Sequence, residues 1–428
     1  MSGDATVAIL GLGYVGLPLA LAFAENGRTV IGYDIDAGRT AELARGVDRN
    51  DPEGGAIAVP PELRFTAEAA ELAGAEVFIL AVPTPIDSSR RPDLGPLAEA
   101  ARAVGGAIRP GGLVIVESTV HPGATEEVVG PIVAEVSGLA AGTAFKLGYS
   151  PERINPGDTT HGLGNVVKVV SGQDAETLAR LVALYEPVVP AGLHAAPSIK
   201  VAEASKITEN IQRDVNIALM NELAQVYDRL GLRTEDVLAA ARTKWNFAPY
   251  TPGLVGGHCI GVDPYYLIAK AEAHGYYPEL IRSARRLNDT MSERIVEKTV
   301  MLLGTGGTAI AGARVGVMGV AFKENVSDAR NSQVPPIVAG LSALGAQVYV
   351  ADPLVGPAVA RRVLGIELVT PEILTDLDVL ILASPHRAFL DGGASGLGAR
   401  LRPGGLLVDI KSVLIPADLP PGLRYWSL

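Results

Sequence analysis

The only thiol of the chain lies in a loop that is dense in glycine. Cys259 stands in GLVGGHCIGVDPYYL (253–267), where four glycines occur within nine residues. Glycine lets a backbone approach a ligand closely, so this pattern is typical of a site around a reactive side chain. A lone cysteine is otherwise a small buried hydrophobe. Asp263-Pro264 predicts the N-cap and the first residue of a following helix, which is an alternative to a catalytic role for Asp263.

A second group of polar side chains occurs at helical spacing. Lys206, Asn210 and Arg213 are four and three residues apart, which places them on one face of a helix. Such a stripe suits an anionic, hydroxyl-rich ligand, although a solvated helix face has the same pattern. The loop YSPERINPGD (149–158) adds Glu152 and Arg153 between prolines and a glycine.

The N-terminal segment combines a strand, a glycine turn and a helix. Gly11, Gly13 and Gly16 form G-x-G-x-x-G after the run TVAIL, and Asp34 ends the next strand 18 residues after the last glycine. These glycines permit the turn, the approach of a pyrophosphate and close helix packing. The Asp34 carboxylate would bind ribose hydroxyls and repel a 2′-phosphate, so the sequence predicts NAD rather than NADP. Arg39 is either a cofactor contact or a solvated helix residue.

Strand patterns alternate with helical patterns in two parts of the chain. The first set comprises 6–10, 29–34, 76–85 and 113–119, and the second 314–323, 347–352, 378–384 and 406–411. This order predicts an α/β protein with two Rossmann-like, doubly wound parallel sheets. In the second set the glycine turn is reduced to Gly316 and Gly319.

A long helix is expected between the two sheets. Residues 198–230 contain neither Gly nor Pro and keep an apolar spacing of three and four, which predicts a helix of about 45 Å. It would join the sheets, together with a small helical domain, and carry a subunit interface. The expected domains are 1–196 for NAD, 197–303 for the central helices and 304–428 for the second sheet, with the linker at 304–307.

Composition excludes several classes of function. The 428 residues are 48% hydrophobic and 19% charged, so packed cores are expected rather than disorder. The net charge is −11 without a basic cluster, which disfavours nucleic-acid binding. Neither a run of 18 apolar residues nor a basic, apolar leader occurs, so we predict no membrane span and a cytoplasmic location. The six histidines are scattered, and no metal site is predicted.

Seven motifs follow one another over nearly the whole chain. They are GLGYVGLPLA, VPTP, ESTVHPG, YSPERINPGD, the helix with Lys206 and Asn210, GGHCIGVDP and FKENVSDARNS. In this combination the protein resembles the UDP-glucose/GDP-mannose dehydrogenase family. The resemblance implies an NAD-dependent enzyme that oxidises C6 of a nucleotide sugar from the alcohol to the carboxylate, a four-electron reaction.

Two departures narrow the resemblance. Glucose and mannose members commonly have Ser before the nucleophilic Cys and Pro-Lys-Asp after it, whereas this chain has His258 and GVD (261–263). They also carry a second acid in the Glu152 loop, where this chain has Pro156. Both features resemble the UDP-N-acetylhexosamine 6-dehydrogenases, and the Cys259 segment most resembles the UDP-N-acetylglucosamine enzymes of Vi-type polysaccharide synthesis. UDP-N-acetylmannosamine, UDP-N-acetylgalactosamine and UDP-glucose stay open as substrates.

The resemblance implies chemical roles for individual residues. Cys259 would form a thiohemiacetal and then a thioester, and Lys206 would act as acid/base while its ammonium favours the thiolate. Lys206 and Asn210 would stabilise the tetrahedral oxyanion. Glu152 would activate the hydrolytic water, and Thr119 would position a water or the cofactor.

The remaining site residues are implied in the same way. Asp263 joins the catalytic set, and His258 is interpreted as a packing or subgroup-specific residue. Besides the glycine turn, Asp34 and Arg39, the cofactor contacts are Tyr14, Val15, Thr84, Thr119 and Arg330. The substrate contacts are Arg153, Ile154, Lys206, Asn210, Arg213, Gly256, Gly257, Phe322 and Lys323. A homodimer or higher oligomer is expected through the long helix.

Two other classes of protein share some of these features. A two-electron dehydrogenase of the 6-phosphogluconate or hydroxyacid type also joins a Rossmann domain to long helices, but it needs neither the Cys nor a second Rossmann-like domain. A nucleotide-sugar-binding regulatory protein would be free to lose Cys259, Lys206 or the glycines. The yield of NADH per sugar separates the three: two, one or none.

Overall fold

The computed structural model describes residues 5–50, 55–153, 162–257 and 259–428. The chain divides into two compact units. The first comprises residues 1–209 and 265–277, and the second comprises 210–264 and 278–428.

The first unit is built on an eight-stranded sheet. Its strands are β1 (Val7–Leu10), β2 (Val30–Tyr33), β3 (Leu63–Thr66), β4 (Val77–Leu80), β5 (Leu113–Val116), β6 (Lys146–Tyr149), β7 (Lys168–Gly172) and β8 (Leu193–Ala195). They are ordered β3-β2-β1-β4-β5-β6-β7-β8, and every pair is parallel except β6 with β7. The chain therefore reverses its winding direction between β1 and β4, where doubly wound sheets bind their ligands.

Helices cover both faces of this sheet because its strands are apolar on both sides. The helices are α1 (Gly16–Glu25), α2 (Ala37–Ala44), α3 (Gly95–Ala107), α4 (Gly130–Ser137) and α5 (Ala175–Tyr185). Val7 and Ile9 belong to one buried cluster, and Ala8 and Leu10 belong to another. Continuous burial of alternate residues is typical of a parallel strand between two helical layers.

The long helix is present and continuous. The helix α6 (Ile199–Leu230) has 32 residues, and the unit boundary falls within it, after Glu209. Its predicted apolar face is not wholly covered, since Leu219, Val226 and Leu230 are 48%, 45% and 66% exposed.

Four further helices follow α6 along the chain, before the first strand of the second sheet. They are α7 (Thr234–Ala241), α8 (Asp263–Ala273), α9 (Glu279–Asp289) and α10 (Met291–Thr305). The N-cap prediction for Asp263 is off by one position, because α8 begins at Asp263 itself. The predicted linker is also partly helical, because α10 continues through Thr305.

The second unit contains a five-stranded, wholly parallel sheet. Its strands are β9 (Arg314–Met318), β10 (Gln347–Ala351), β11 (Leu377–Leu382), β12 (Leu401–Asp409) and β13 (Arg424–Ser427), ordered β10-β9-β11-β12-β13. Its helices are α11 (Val334–Ala343), α12 (Pro357–Val359), α13 (Arg387–Leu390) and α14 (Gly393–Gly398). The predicted fold class, two parallel α/β sheets and a long helix, is confirmed.

The prediction that Gly316 and Gly319 both form the second glycine turn is wrong for Gly316. Gly316 lies inside β9, where an added Cβ would be 2.6 Å from the Leu377 side chain, so it is a strand residue in a packed core. Gly319 alone forms the turn, with φ of +92°. The division into domains at 196 and 303 stays a prediction. Among the described residues, no helix combines the length and apolar character needed to cross a membrane.

Candidate functional site

The glycine turn after β1 leaves space beside the backbone. Gly11 has φ of +95°, and a Cβ there would lie 2.6 Å from the Ala81 carbonyl oxygen. A Cβ on Gly16 would lie 1.8 Å from the Gly11 carbonyl oxygen, so this position excludes any side chain. By contrast, a Cβ on Gly13 would meet nothing within 4 Å. Packing fixes the outer two glycines, and the middle one faces open space where a phosphate can approach.

The acid at the end of β2 supports the same turn. The Asp34 carboxylate is half-buried and accepts the backbone N–H of Leu12 at 2.9 Å and of Asp36 at 3.0 Å. Arg39 is 4% exposed, its guanidinium donates to the Leu12 carbonyl oxygen at 3.0 Å, and it pairs with Asp48 at 2.6 Å. The interpretation of Arg39 as a solvated helix residue is therefore wrong, and its contact with a cofactor stays a prediction.

These residues fit a dinucleotide. The helix α1 begins directly after Val15, and no side chain caps it. The N-terminus of a helix that follows a glycine turn favours a bound phosphate. Thr84 and Thr119 lie together after neighbouring strands, because the Thr84 hydroxyl donates to the Thr119 carbonyl oxygen at 2.8 Å. Pyrophosphate, ribose and nicotinamide groups would each find a polar partner here, and NAD is the cofactor that this constellation would hold.

The loop before the thiol is held by one amide side chain. Asn221 of α6 accepts the Gly253 N–H at 2.8 Å and donates to the Gly253 carbonyl oxygen at 3.0 Å. A Cβ on Gly256 would lie 2.8 Å from the Asn331 carbonyl oxygen, and one on Gly257 would lie 3.0 Å from the Phe322 ring. The glycines are therefore required by close packing against the segment after β9.

The thiol lies at the end of this loop. Cys259 is half-buried, and its carbonyl oxygen accepts the N–H groups of Val262 at 3.1 Å and Asp263 at 2.9 Å. The Asp263 carboxylate in turn accepts the amide of Asn210 at 2.5 Å. Asp263 and Asn210 are 3% and 4% exposed. The second unit thus brings Cys259, Asp263, Asn210 and the Gly256–Gly257 backbone into one region.

A buried ion pair behind this loop has no sequence motif. Arg285 is 2% exposed, pairs with Asp214 at 2.5 Å and also bonds Asp289. Asn288 donates to Asp214 at 2.8 Å and accepts an amide hydrogen from Asn221 at 2.9 Å. Sequence reasoning missed these residues, because a charged residue on a helix is usually solvated and only packing shows that these are buried.

A second buried cluster in the first unit was also missed. The Lys168 ammonium lies 3.1 Å from Glu117 and 3.6 Å from Glu152, and the Tyr185 hydroxyl donates to Glu117 at 2.5 Å. Burial would lower the pKa of Lys168, but the two carboxylates outweigh burial and raise that pKa. The available signal was Lys168 itself, a charged residue at the start of the apolar run KVV.

An acidic residue on α6 has an unusual protonation equilibrium. Glu203 is fully buried and accepts the backbone N–H groups of Gly123 at 2.5 Å and Thr125 at 2.9 Å. Burial raises its pKa to about 7, although these hydrogen bonds oppose the shift. Lys206, three residues later, is 9% exposed, whereas Arg213 is exposed.

Two predicted arginines already have carboxylate partners. The Arg153 guanidinium donates to Glu209 at 3.0 Å and to the Val167 carbonyl oxygen at 3.0 Å. Arg330 donates to Asp328 at 2.7 Å. Their roles toward substrate and cofactor, like those of Lys323, Tyr14 and Val15, stay predictions. Ile154 and His258 lie outside the described residues.

A parallel sheet with an open glycine turn and a half-buried acid, in a chain that also carries a glycine-held thiol, defines a dinucleotide-dependent dehydrogenase. The chain belongs to the UDP-glucose/GDP-mannose dehydrogenase family. The NAD binding domain of that family matches residues 5–189, its central domain 200–290 and its UDP binding domain 316–416. The protein is therefore an NAD-dependent nucleotide-sugar dehydrogenase, and the family, enzyme class and cofactor predicted from the sequence are confirmed.

Known relatives align over almost the whole chain. A UDP-N-acetyl-D-glucosamine 6-dehydrogenase of Pseudomonas aeruginosa is 47% identical over 412 residues, covering 96% of this chain and 97% of the relative. Protein CapL of Staphylococcus aureus is 44% identical and covers 99% of both chains. Among solved structures, a UDP-D-ManNAc dehydrogenase of Pyrococcus horikoshii superposes with a TM-score of 0.87 at 29% identity, covering 99% of this chain and 98% of that one.

Proposed function

We propose that the protein oxidises C6 of a UDP-N-acetylhexosamine to the carboxylate, and that the sugar is N-acetylglucosamine. Two of the relatives at 43–47% identity are named UDP-N-acetyl-D-glucosamine 6-dehydrogenases. Relatives named UDP-N-acetyl-D-mannosamine dehydrogenases are 31–33% identical. The greater similarity to the first group supports the glucosamine configuration, and the mannosamine sugar is the second candidate.

The single structural observation that carries the proposed oxidation to the carboxylate is the environment of Cys259. A half-buried thiol follows a loop whose glycines are dictated by close packing. The buried Asp263–Asn210 hydrogen bond fixes the residue at which the loop enters α8. A thiol held by a pre-formed backbone is suited to covalent catalysis, because its position is set before the substrate arrives.

The chain's own residues supply the steps around C6. When bound, NAD would accept one hydride from C6 in each of the two oxidations. Lys206 takes the proton of the 6-hydroxyl as the aldehyde forms, and the Cys259 thiolate then adds to the aldehyde carbon. Lys206 and Asn210 stabilise the oxyanion of this thiohemiacetal. After the second oxidation, Glu152 takes a proton from water, hydroxide adds to the thioester carbon, and the thiolate leaves.

A screen of NADH formation tests the reaction and the sugar together. UDP-N-acetylglucosamine should give two NADH per sugar and the highest kcat/KM, ahead of the N-acetylmannosamine, N-acetylgalactosamine and glucose nucleotides. These sugars differ at one or two substituents, and one hydroxyl contact decides among them. A yield of one NADH would indicate a two-electron dehydrogenase, and the highest kcat/KM with another nucleotide sugar would overturn the assignment of the sugar.

Variants at the single thiol test the covalent mechanism. Cys259→Ala removes the nucleophile with little change of volume, so the acid should no longer form while the melting temperature stays close to that of the parent protein. Cys259→Ser is the matched control, because its hydroxyl would form an ester that hydrolyses slowly and adds the sugar nucleotide to the intact-protein mass. Continued formation of the acid by Cys259→Ala would overturn the mechanism.

We also propose that α6 carries a homodimer interface. Leu219, Val226 and Leu230 lie seven and four residues apart on this helix and are each at least 45% exposed. Exposed apolar residues at this spacing are typical of a helix face that packs against another. Sedimentation equilibrium should give a dimer, and Leu219→Glu should shift it toward the monomer; a monomeric parent protein would contradict the interface.

A further inference from the structure

The first unit contains a charged cluster next to the carboxylate that acts on water in the proposed function. Lys168, the first residue of β7, is 4% exposed, and its ammonium lies 3.1 Å from Glu117 and 3.6 Å from Glu152. The Tyr185 hydroxyl donates to the other oxygen of Glu117 at 2.5 Å. One ammonium therefore bridges two carboxylates, and one of these carboxylates is held from both sides.

The cluster is poorly explained by stability alone. Removing an ion pair from water costs about as much free energy as the attraction returns, so apolar side chains of the same volume would serve the fold as well. Burial raises the pKa of Glu117, and the Lys168 ammonium opposes that shift. Burial and the Glu117 charge raise the pKa of Tyr185 well above its usual value, so its hydroxyl stays a neutral donor.

The same strand also fixes the loop that carries Glu152. This residue follows the end of β6 by three positions. The buried Ser150 hydroxyl, two residues before it, donates to the Val169 carbonyl oxygen of β7 at 2.8 Å. Lys168 precedes Val169 in β7, so the backbone of Glu152 and its carboxylate are both held from one short segment.

We propose that Lys168 is a positioning residue for the hydrolytic step: its ammonium, anchored by Glu117 and Tyr185, holds the Glu152 carboxylate in place to take the proton of the hydrolytic water. The inference rests on the proposed function. The water proton moves to Glu152, the hydroxide oxygen bonds to the thioester carbon, and the carbon–sulfur bond breaks as the thiolate leaves. Lys168 itself neither touches the reacting atoms nor transfers a proton.

The test compares Lys168→Met with Lys146→Met. Methionine keeps the length of the side chain and removes its charge. Lys146 is the matched control, because it is also the first residue of a strand in this sheet, β6, and pairs with Asp174 at 2.9 Å. Lys168→Arg restores the cation. NADH formation is followed after rapid mixing, and the protein is quenched with acid for intact-mass measurement.

The positioning role predicts a selective loss of the last step. In Lys168→Met the fast phase of NADH formation should keep its amplitude and the substrate KM should not change, whereas the steady-state kcat should fall about 100-fold. The sugar nucleotide should accumulate on Cys259 as a thioester. Lys146→Met should behave as the parent protein, and Lys168→Arg should recover most of the rate. Equal losses in the fast and slow phases, without a thioester, would overturn the proposal.

A second variant separates folding from positioning. Lys168→Met leaves Glu117 buried without its cation, and Glu117→Gln/Lys168→Met removes both charges together. Thioester accumulation in the double variant supports the positioning role. If Lys168→Met and the double variant both fail to fold while Lys168→Arg folds, the cluster serves stability and the positioning role is overturned. A failure of the proposed function itself would appear in the parent protein, which would then form no thioester-dependent second NADH.

Discussion

The two parallel sheets of this protein begin with the same turn. Gly11 follows β1 with φ of +95°, and Gly319 follows β9 with φ of +92°. A Cβ on Gly11 would lie 2.6 Å from the Ala81 carbonyl oxygen, and one on Gly319 would lie 2.5 Å from the Ser384 carbonyl oxygen. In each case the backbone after the neighbouring strand leaves no space for a side chain. The first glycine of the turn is thus a requirement of strand packing, and its presence does not by itself indicate a ligand.

The acids after the second strand of each sheet also correspond. Asp34 accepts the N–H of Leu12 at 2.9 Å, and Asp352 accepts the N–H of Val320 at 2.7 Å. Both aspartates are half-buried as residues, but the Asp352 side chain, which is 0% exposed, also bonds His386 at 3.1 Å. Burial would raise the pKa of Asp352, but His386 and the backbone amides outweigh burial and lower it.

The two sheets differ in the residues that follow the first glycine of the turn. The first sheet adds Gly13, with open space, and Gly16, at which α1 begins. The second has Ala321 and Glu324 at the corresponding offsets, and its next helix, α11, begins only at Val334. Both sheets place their second strand beside their first and then cross to the other side of the first strand, but the features that would hold a pyrophosphate and a ribose are found in the first sheet.

The largest expected effect on this comparison comes from filling the space at Gly13. In Gly13→Ala the new methyl group meets no protein atom within 4 Å, so the fold should be unchanged, whereas the NAD dissociation constant should rise roughly 100-fold because the pyrophosphate is displaced. Gly106→Ala is the matched control, since this position of α3 is equally open. Isothermal titration calorimetry gives the NAD dissociation constants of both variants. Equal constants would show that the pyrophosphate does not bind at the glycine turn.

The paired acids give a smaller effect that differs between the sheets. Asp34→Ala should lower the NAD-to-NADP ratio of kcat/KM about 10- to 100-fold, because a hydrogen bond to a charged group and the repulsion of a 2′-phosphate are both lost. Asp352→Asn should leave that ratio unchanged and instead lower the free energy of unfolding by about 2 kcal/mol. Denaturation with urea checks the second variant. A changed NAD-to-NADP ratio of kcat/KM in Asp352→Asn would show that the roles of the two acids do not differ in this way.

The smallest expected effect is a pH dependence of stability caused by Glu203, a buried acid whose pKa shifts in the direction opposite to that of Asp352. Asp352 has a histidine partner, whereas Glu203 is held by backbone amides, and burial raises its pKa from 4.5 to about 7. The folded state then binds more protons than the unfolded state between these values, so stability falls as the pH rises through this window.

Between pH 6 and 8 this equilibrium should cost about 1 kcal/mol of stability. Melting temperatures of the parent protein and Glu203→Gln, measured across this range, should converge at low pH and separate at high pH, with the parent falling more steeply. Parallel curves would show that Glu203 titrates normally.

The sequence alone determined the framework and the cofactor. Apolar runs of strand length alternate with helical patterns because a parallel sheet must be covered on both faces, and this period is visible without coordinates. The G-x-G-x-x-G turn with Asp34 was equally readable, because its glycines and acid are fixed by local spacing. The long helix followed from the absence of Gly and Pro over its length, and the family from the order of its motifs.

Only the tertiary structure decided which polar residues are buried and with which partners. Lys168 and Tyr185 come from β7 and α5, and Glu117 directly follows β5, so no spacing along the chain brings the three together. The same holds for Asp214 with Arg285, and for Asp352 with His386. Period and motif depend on neighbours within a few positions, whereas the environment of a charge depends on every segment that packs against it, and those segments meet only in the folded chain.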